Sequence, residues 1–160
     1  MSSRRNVLKA ISAAVVVGML GPIDVLGQVR AAAQTVPPGG ERIALKGYDP
    51  VAYFTLSTPT PGMAEYDYVY DGVRYFFANA RHRDLFKANP DKYAPQFGGL
   101  CAMNLSRGVK RESDPHNWVI SNGNLYVFAG ERGAQNFATD AEASAARAAA
   151  NWKTLRTVTQ

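Results

Sequence analysis

The pair Asp71-Gly72 constrains this chain more than any other feature, because it stands between Tyr66-Asp67-Tyr68-Val69-Tyr70 and Val73-Arg74-Tyr75-Phe76-Phe77. A two-residue turn of the primed type needs positive φ at both central positions, and aspartate-glycine accepts it. The flanking alternation gives each arm one aromatic face, so the segment predicts a β-hairpin with a face to bury. A second hairpin is predicted where Ser121-Asn122-Gly123-Asn124 joins Trp118-Val119-Ile120 to Leu125-Tyr126-Val127-Phe128. After the first hairpin, Asn79 reads as the N-cap of a helix over Ala80–Ala88, and Asn89-Pro90 as its stop. Phe137, Ala141, Ala145, Ala148, Trp152 and Leu155 recur at spacings of three and four, which predicts one long C-terminal helix. Two hairpins and two helices without strand–helix alternation define an α+β fold, read here as one unit over residues 42–157 with no internal repeat.

The N-terminus reads as a twin-arginine signal peptide over residues 1–33. Arg4-Arg5 precedes Asn6-Val7-Leu8-Lys9, an apolar stretch runs from Ala10 to Leu20, and Ala31-Ala32-Ala33 supplies small residues for cleavage. Such a stretch is shorter than the ~20 residues a bilayer span requires, so contact with the membrane is expected only during export. Residues 34–41, with Pro37-Pro38-Gly39-Gly40, read as a flexible linker. Removing the leader takes away Arg4, Arg5, Lys9 and Arg30 against Asp24, which lowers the formal charge from +5 to +2. That balance argues against a nucleic-acid partner, which needs a clustered basic face. The expected location is the periplasm.

Cys101 is the single cysteine, so the domain is held by its core and not by an internal disulfide. It lies in Gly98-Gly99-Leu100-Cys101-Ala102-Met103, read as a tight turn or a bent strand. In an extended strand Cys101 and Met103 would share a face, and thiolate with thioether is a soft pair suited to Cu(I). The alternative is a buried cysteine acting as a small hydrophobe beside a gap-filling methionine. His82 shares the face of Leu85 and Phe86 on the first helix and is the candidate imidazole for the same site. Its ordinary role would be a half-buried histidine bonded to a backbone carbonyl. His116, in Asp114-Pro115-His116-Asn117, reads as a solvated loop residue. No phosphate loop, serine elbow, zinc-binding histidine–glutamate motif or close carboxylate pair is present, and a Cys–His nucleophile pair has no spacing to support it. An enzyme is therefore not the expectation.

The segment from Tyr70 through Phe77, continued by Arg83-Asp84-Leu85-Phe86-Lys87-Ala88-Asn89-Pro90-Asp91-Lys92-Tyr93, resembles the YHS domain. Lys46-Gly47-Tyr48-Asp49-Pro50-Val51-Ala52-Tyr53-Phe54 and the run Ala94 to Ala102 look like exported bacterial proteins that carry it. The resemblance implies a role in handling heavy metals, copper above all, beside metal-transport proteins. The cysteines of the metal-binding form are missing after Pro50 and after Phe77, and only Cys101 remains. The expectation is a soft-metal site at Cys101 with Met103 and His82 as helpers and copper as the ion. The alternative is a non-enzymatic interaction module with an inert buried cysteine. A thiol redox protein is a third reading, and it would require a resolving thiol from another chain.

Overall fold

The computed structural model describes residues 42–157, so the expected leader and the whole of the expected linker lie outside the described residues. The fold is α+β, with two small sheets, and ends in a long helix as expected. Its elements are β1 (Arg42–Ile43), α1 (Ala52–Thr55), β2 (Met63–Tyr70), β3 (Val73–Phe77), α2 (Ala80–Ala88), α3 (Pro90–Tyr93), α4 (Ala102–Leu105), β4 (Asp114–Ser121), β5 (Asn124–Phe128), α5 (Glu131–Thr139) and α6 (Ala141–Leu155). Tight 3-10 turns over Ala44–Gly47 and Gln96–Gly99 precede α1 and α4. β3 is central in a three-stranded sheet, antiparallel to β2 and parallel to β1, and β4 and β5 form a separate antiparallel pair.

Both hairpins turn as their residue pairs require. Asp71 and Gly72 have φ of 49° and 71°, and Asn122 and Gly123 have 49° and 76°. Asn79 caps α2 by accepting the amide of His82 at 2.9 Å. The expected single C-terminal helix is two helices. Asp140, at φ −154°, interrupts the ladder between α5 and α6 as Asn89, at φ −151°, does between α2 and α3. Each break lets one buried phenylalanine (Phe86 or Phe137) face the sheet while the chain beyond it turns to a new direction.

The described residues fall in one compact unit, but that unit is built from two similar halves, which corrects the expectation of no internal repeat. β2 and β4, β3 and β5, and α2 and α5 are pairs of equal length, each starting 51 positions apart. The 3-10 turns also match: Leu45, Lys46 and Gly47 have positive φ, as do Phe97, Gly98 and Gly99. Each half contains the same packing unit. Tyr75 and Phe77 lie 4.9 Å and 5.2 Å from Phe86, and Tyr126 and Phe128 lie 4.8 Å and 5.2 Å from Phe137. Two apolar cores result, and β5 serves both: Leu125 and Val127 enter the first, Tyr126 and Phe128 the second. Alternate side chains of one strand point to opposite faces, so Leu125–Phe128 of β5 are buried between them. Phe86, 0% exposed, gathers Tyr68, Tyr70, Tyr75 and Phe77 around its ring.

Candidate functional site

In the first half, the turn before α1 delivers Asp49, 0% exposed, to the N-terminus of α2. One carboxylate oxygen accepts the amide of Val51 at 2.8 Å and that of Ala52 at 3.4 Å. The other accepts the amide of Ala78 at 2.9 Å and His82 Nδ1 at 2.6 Å. Thr55 Oγ1 stands 3.3 Å from His82 Nε2 and donates to Val51 O at 3.1 Å. Four N–H donors on one buried carboxylate satisfy its need for hydrogen bonds and tie α1, the β3–α2 link and α2 together. His82 is therefore bonded to a carboxylate and a hydroxyl, not to a backbone carbonyl, and both ring nitrogens are engaged. This site is sealed.

The same backbone place in the second half belongs to Cys101. The amide of Cys101 donates to Arg111 O at 2.9 Å, as the amide of Asp49 donates to Thr60 O at 2.9 Å. The residues before them, Tyr48 and Leu100, bridge Pro61 and Glu112 in the same antiparallel sense. The second half is two residues shorter here, so α4 begins at Ala102 directly after Cys101. Met103 accordingly lies within a helical turn, which corrects the extended-strand expectation. Both sulfur residues nevertheless line one cleft. Met103 Sδ accepts from Ser106 Oγ at 3.4 Å, and Cys101 is a free thiol at 1% exposure.

Three replacements distinguish the second half from the first. Asp49 is matched by Cys101, Asn79 by Gly130, and His82 by Gly133. Gly130 leaves α5 without the side-chain cap that Asn79 gives α2. At Gly133 a Cβ would stand 3.2 Å from Phe128 Cβ, so glycine lets α5 close on β5. The result is an open cleft of about 560 Å³ lined by Cys101, Met103, Asn104, Gly130, Gly133 and Asn136, with Arg107, Arg111, Glu131 and Arg132 at its walls. His82 does not line it. The polar plug of the first half has no counterpart here.

His116 lies on β4 and not in a loop; it is exposed, 3.1 Å from Asp114 Oδ1, with its ring edge-on to Tyr48 at 5.3 Å. The amide of His116 donates to the same carboxylate and is the main reason that Asp114 titrates below the ordinary carboxylate range. Neither histidine contacts Cys101, so no Cys–His nucleophile pair forms among the described residues. No group of three or more His, Cys, Asp or Glu side chains could hold a metal ion among the described residues.

Asp49 does not stand out in the sequence, although the Asp-Pro pair that carries it lies within the family-like opening. The signal that finds it is the repeat: a buried polar residue in one half, matched by cysteine in the other. Comparison of the chain with family models, curated proteins and solved structures gives no match in any of the three.

Proposed function

We propose that the chain is a non-catalytic binding module whose ligand site is the Cys101 cleft, with the sealed first half as its structural counterpart. The single observation that carries this reading is the replacement of Asp49, Asn79 and His82 by Cys101, Gly130 and Gly133, which leaves space where the first half is plugged. The soft sulfur pair of Cys101 and Met103 on that cleft supports a metal such as Cu(I), bound by thiolate and thioether, with any further ligand coming from outside the described residues. His82 is not part of this set, because a metal there would have to displace Asp49 or Thr55. Export as a YHS-like periplasmic protein, on the pattern of residues 1–33, completes the reading.

Competition for Cu(I) against a chromophoric chelator tests it. Cys101→Ser should weaken binding by at least about tenfold and Met103→Leu by less, while His82→Gln leaves affinity unchanged. Equal affinity of wild type and Cys101→Ser would overturn the metal reading. A second reading, an interaction module with an inert thiol, is favoured by the 1% exposure of Cys101. It predicts that a thiol reagent modifies Cys101 only after unfolding, whereas a ligand-site thiol reacts in the native protein and is protected by metal.

A further inference from the structure

We propose that Asn122, at the tip of the β4–β5 hairpin, is a self-modification site, where the chain converts its own side-chain amide to a carboxylate through a cyclic imide formed with the backbone of Gly123. The reaction needs only the chain and water, so it is independent of what the Cys101 cleft binds. The backbone nitrogen of Gly123 attacks Asn122 Cγ and gives up its proton to solvent. A new C–N bond closes the ring, the bond from Cγ to the side-chain nitrogen breaks, and ammonia leaves. Water then opens the ring on one side or the other. Cleavage between the ring nitrogen and Cγ leaves aspartate in an unaltered backbone. Cleavage between that nitrogen and the Asn122 carbonyl carbon leaves isoaspartate, with the backbone routed through Cβ and Cγ. One water enters and one ammonia departs, with no change of oxidation state.

Sequence and fold together single out this residue. Only Asn122 is followed by glycine; every other described asparagine precedes alanine, proline, leucine, phenylalanine or tryptophan. A side chain at the next position crowds the attacking nitrogen, and proline has no N–H, whereas a Cβ at Gly123 would meet nothing within 4 Å. Both reacting groups are also exposed and unengaged. The side-chain amide of Asn122 has no hydrogen-bond partner among the described residues, whereas Asn79, Asn89, Asn124 and Asn151 each hold one. The amide of Gly123 donates to no backbone carbonyl, because the ladder ends at the Ser121–Asn124 pair.

The first hairpin supplies the comparison. Asp71-Gly72 holds the same turn, with φ of 49° and 71° against 49° and 76°, so an aspartate product at position 122 keeps the fold. Asp71 itself resists the same attack, since a carboxylate is a poor electrophile and this one is paired with Arg156 at 3.1 Å. Isoaspartate differs from aspartate by adding a backbone methylene to a two-residue turn, and the length of that turn fixes the register of β4 on β5. β5 enters both cores and bridges Cys101 through Val127, so this product weakens the packing of both halves.

The test is incubation of the full chain at mildly alkaline pH, native and in parallel unfolded in urea. Peptide mass mapping reads the conversion of amide to acid, and methyl acceptance with an isoaspartyl O-methyltransferase reads isoaspartate. In the native protein the expected mass gain falls on the peptide carrying Asn122 ahead of any other, with part of it as isoaspartate. Asn122→Gly, which accepts positive φ and has no side-chain amide, should lose both signals at this peptide. Asn122→Asp should melt with the wild type, while the isoaspartyl fraction melts a few degrees lower. Retention of the amide in the native protein for several times as long as the unfolded chain takes to convert would overturn the proposal. So would conversion of another asparagine ahead of Asn122, or an undiminished mass gain in Asn122→Gly. An isoaspartyl fraction that melts with the wild type would overturn the effect on the two cores.

Discussion

Asp49 and Cys101 hold the same place in the two halves of the fold, each donating its amide to a carbonyl 2.9 Å away, Thr60 O for the one and Arg111 O for the other. Beyond that shared hydrogen bond the two places diverge. Asp49 gathers four N–H donors and closes its site, whereas Cys101 faces a cleft that lacks the histidine and the capping asparagine. The fold thus carries its own control: one half shows which groups the other lacks.

Asp49→Ala leaves the amides of Val51, Ala52 and Ala78 and the ring of His82 without their acceptor in a buried place. The expected cost is about 3–5 kcal/mol in urea unfolding. A loss below about 1 kcal/mol would show that the network adds little to stability.

Burial holds the Tyr53 hydroxyl far above its ordinary range, with smaller contributions from Tyr48, Asp114 and Asp49, and pushes Tyr75 up to about 12. A raised folded pKa makes the stabilisation complete below the ordinary tyrosine value of about 10 and lost progressively as pH climbs above it. Folding stability should therefore fall between about pH 10 and 12. Tyr75→Phe should recover about 1 kcal/mol of that loss near pH ~11, with little effect at neutral pH. An unchanged alkaline unfolding curve in Tyr75→Phe would contradict the assignment. Tyr53→Phe differs, because its hydroxyl donates to the buried Pro115 O at 2.9 Å, and it should cost about 1 kcal/mol even at neutral pH.

Two glycines separate crowding from backbone strain. A Cβ at Gly62 would stand 2.6 Å from the backbone of Phe76, so Gly62→Ala should cost about 1–3 kcal/mol by forcing the sheet to shift. At Gly123 nothing lies within 4 Å, but φ is +76°, and Gly123→Ala should cost only about 1 kcal/mol. Thermal unfolding of both variants checks the order. Gly123→Ala proving the more harmful would contradict it.

Much of this architecture is legible in the residues. The turn pairs Asp71-Gly72 and Asn122-Gly123 dictate both hairpins, and Asn79 and Asn89-Pro90 bound α2, because these are local backbone preferences that tertiary packing did not override. The break at Asp140 was hidden, since alanine-rich sequence continues a helical period across a residue whose backbone is not helical. The repeat could have been found: Gly72, Tyr75, Phe77, Ala78, Arg81 and Phe86 recur as Gly123, Tyr126, Phe128, Ala129, Arg132 and Phe137. It is sparse because only the turn, the ring cluster and the helix start are constrained alike, while surface positions diverged. The candidate site was half visible. Cys101 and Met103 do share a cleft, but the engagement of His82 depends on Asp49, a contact 33 positions away that no spacing rule reveals.

Whether binding belongs to the second half alone is decided by mapping amide shifts over the whole domain during a titration with Cu(I). The expected shifts concentrate at Cys101, Met103 and Gly130–Gly133, with Asp49, Asn79 and His82 unmoved. Shifts at the Asp49–His82 cluster that equal or exceed those at the Cys101 cleft, or none at either, would contradict it.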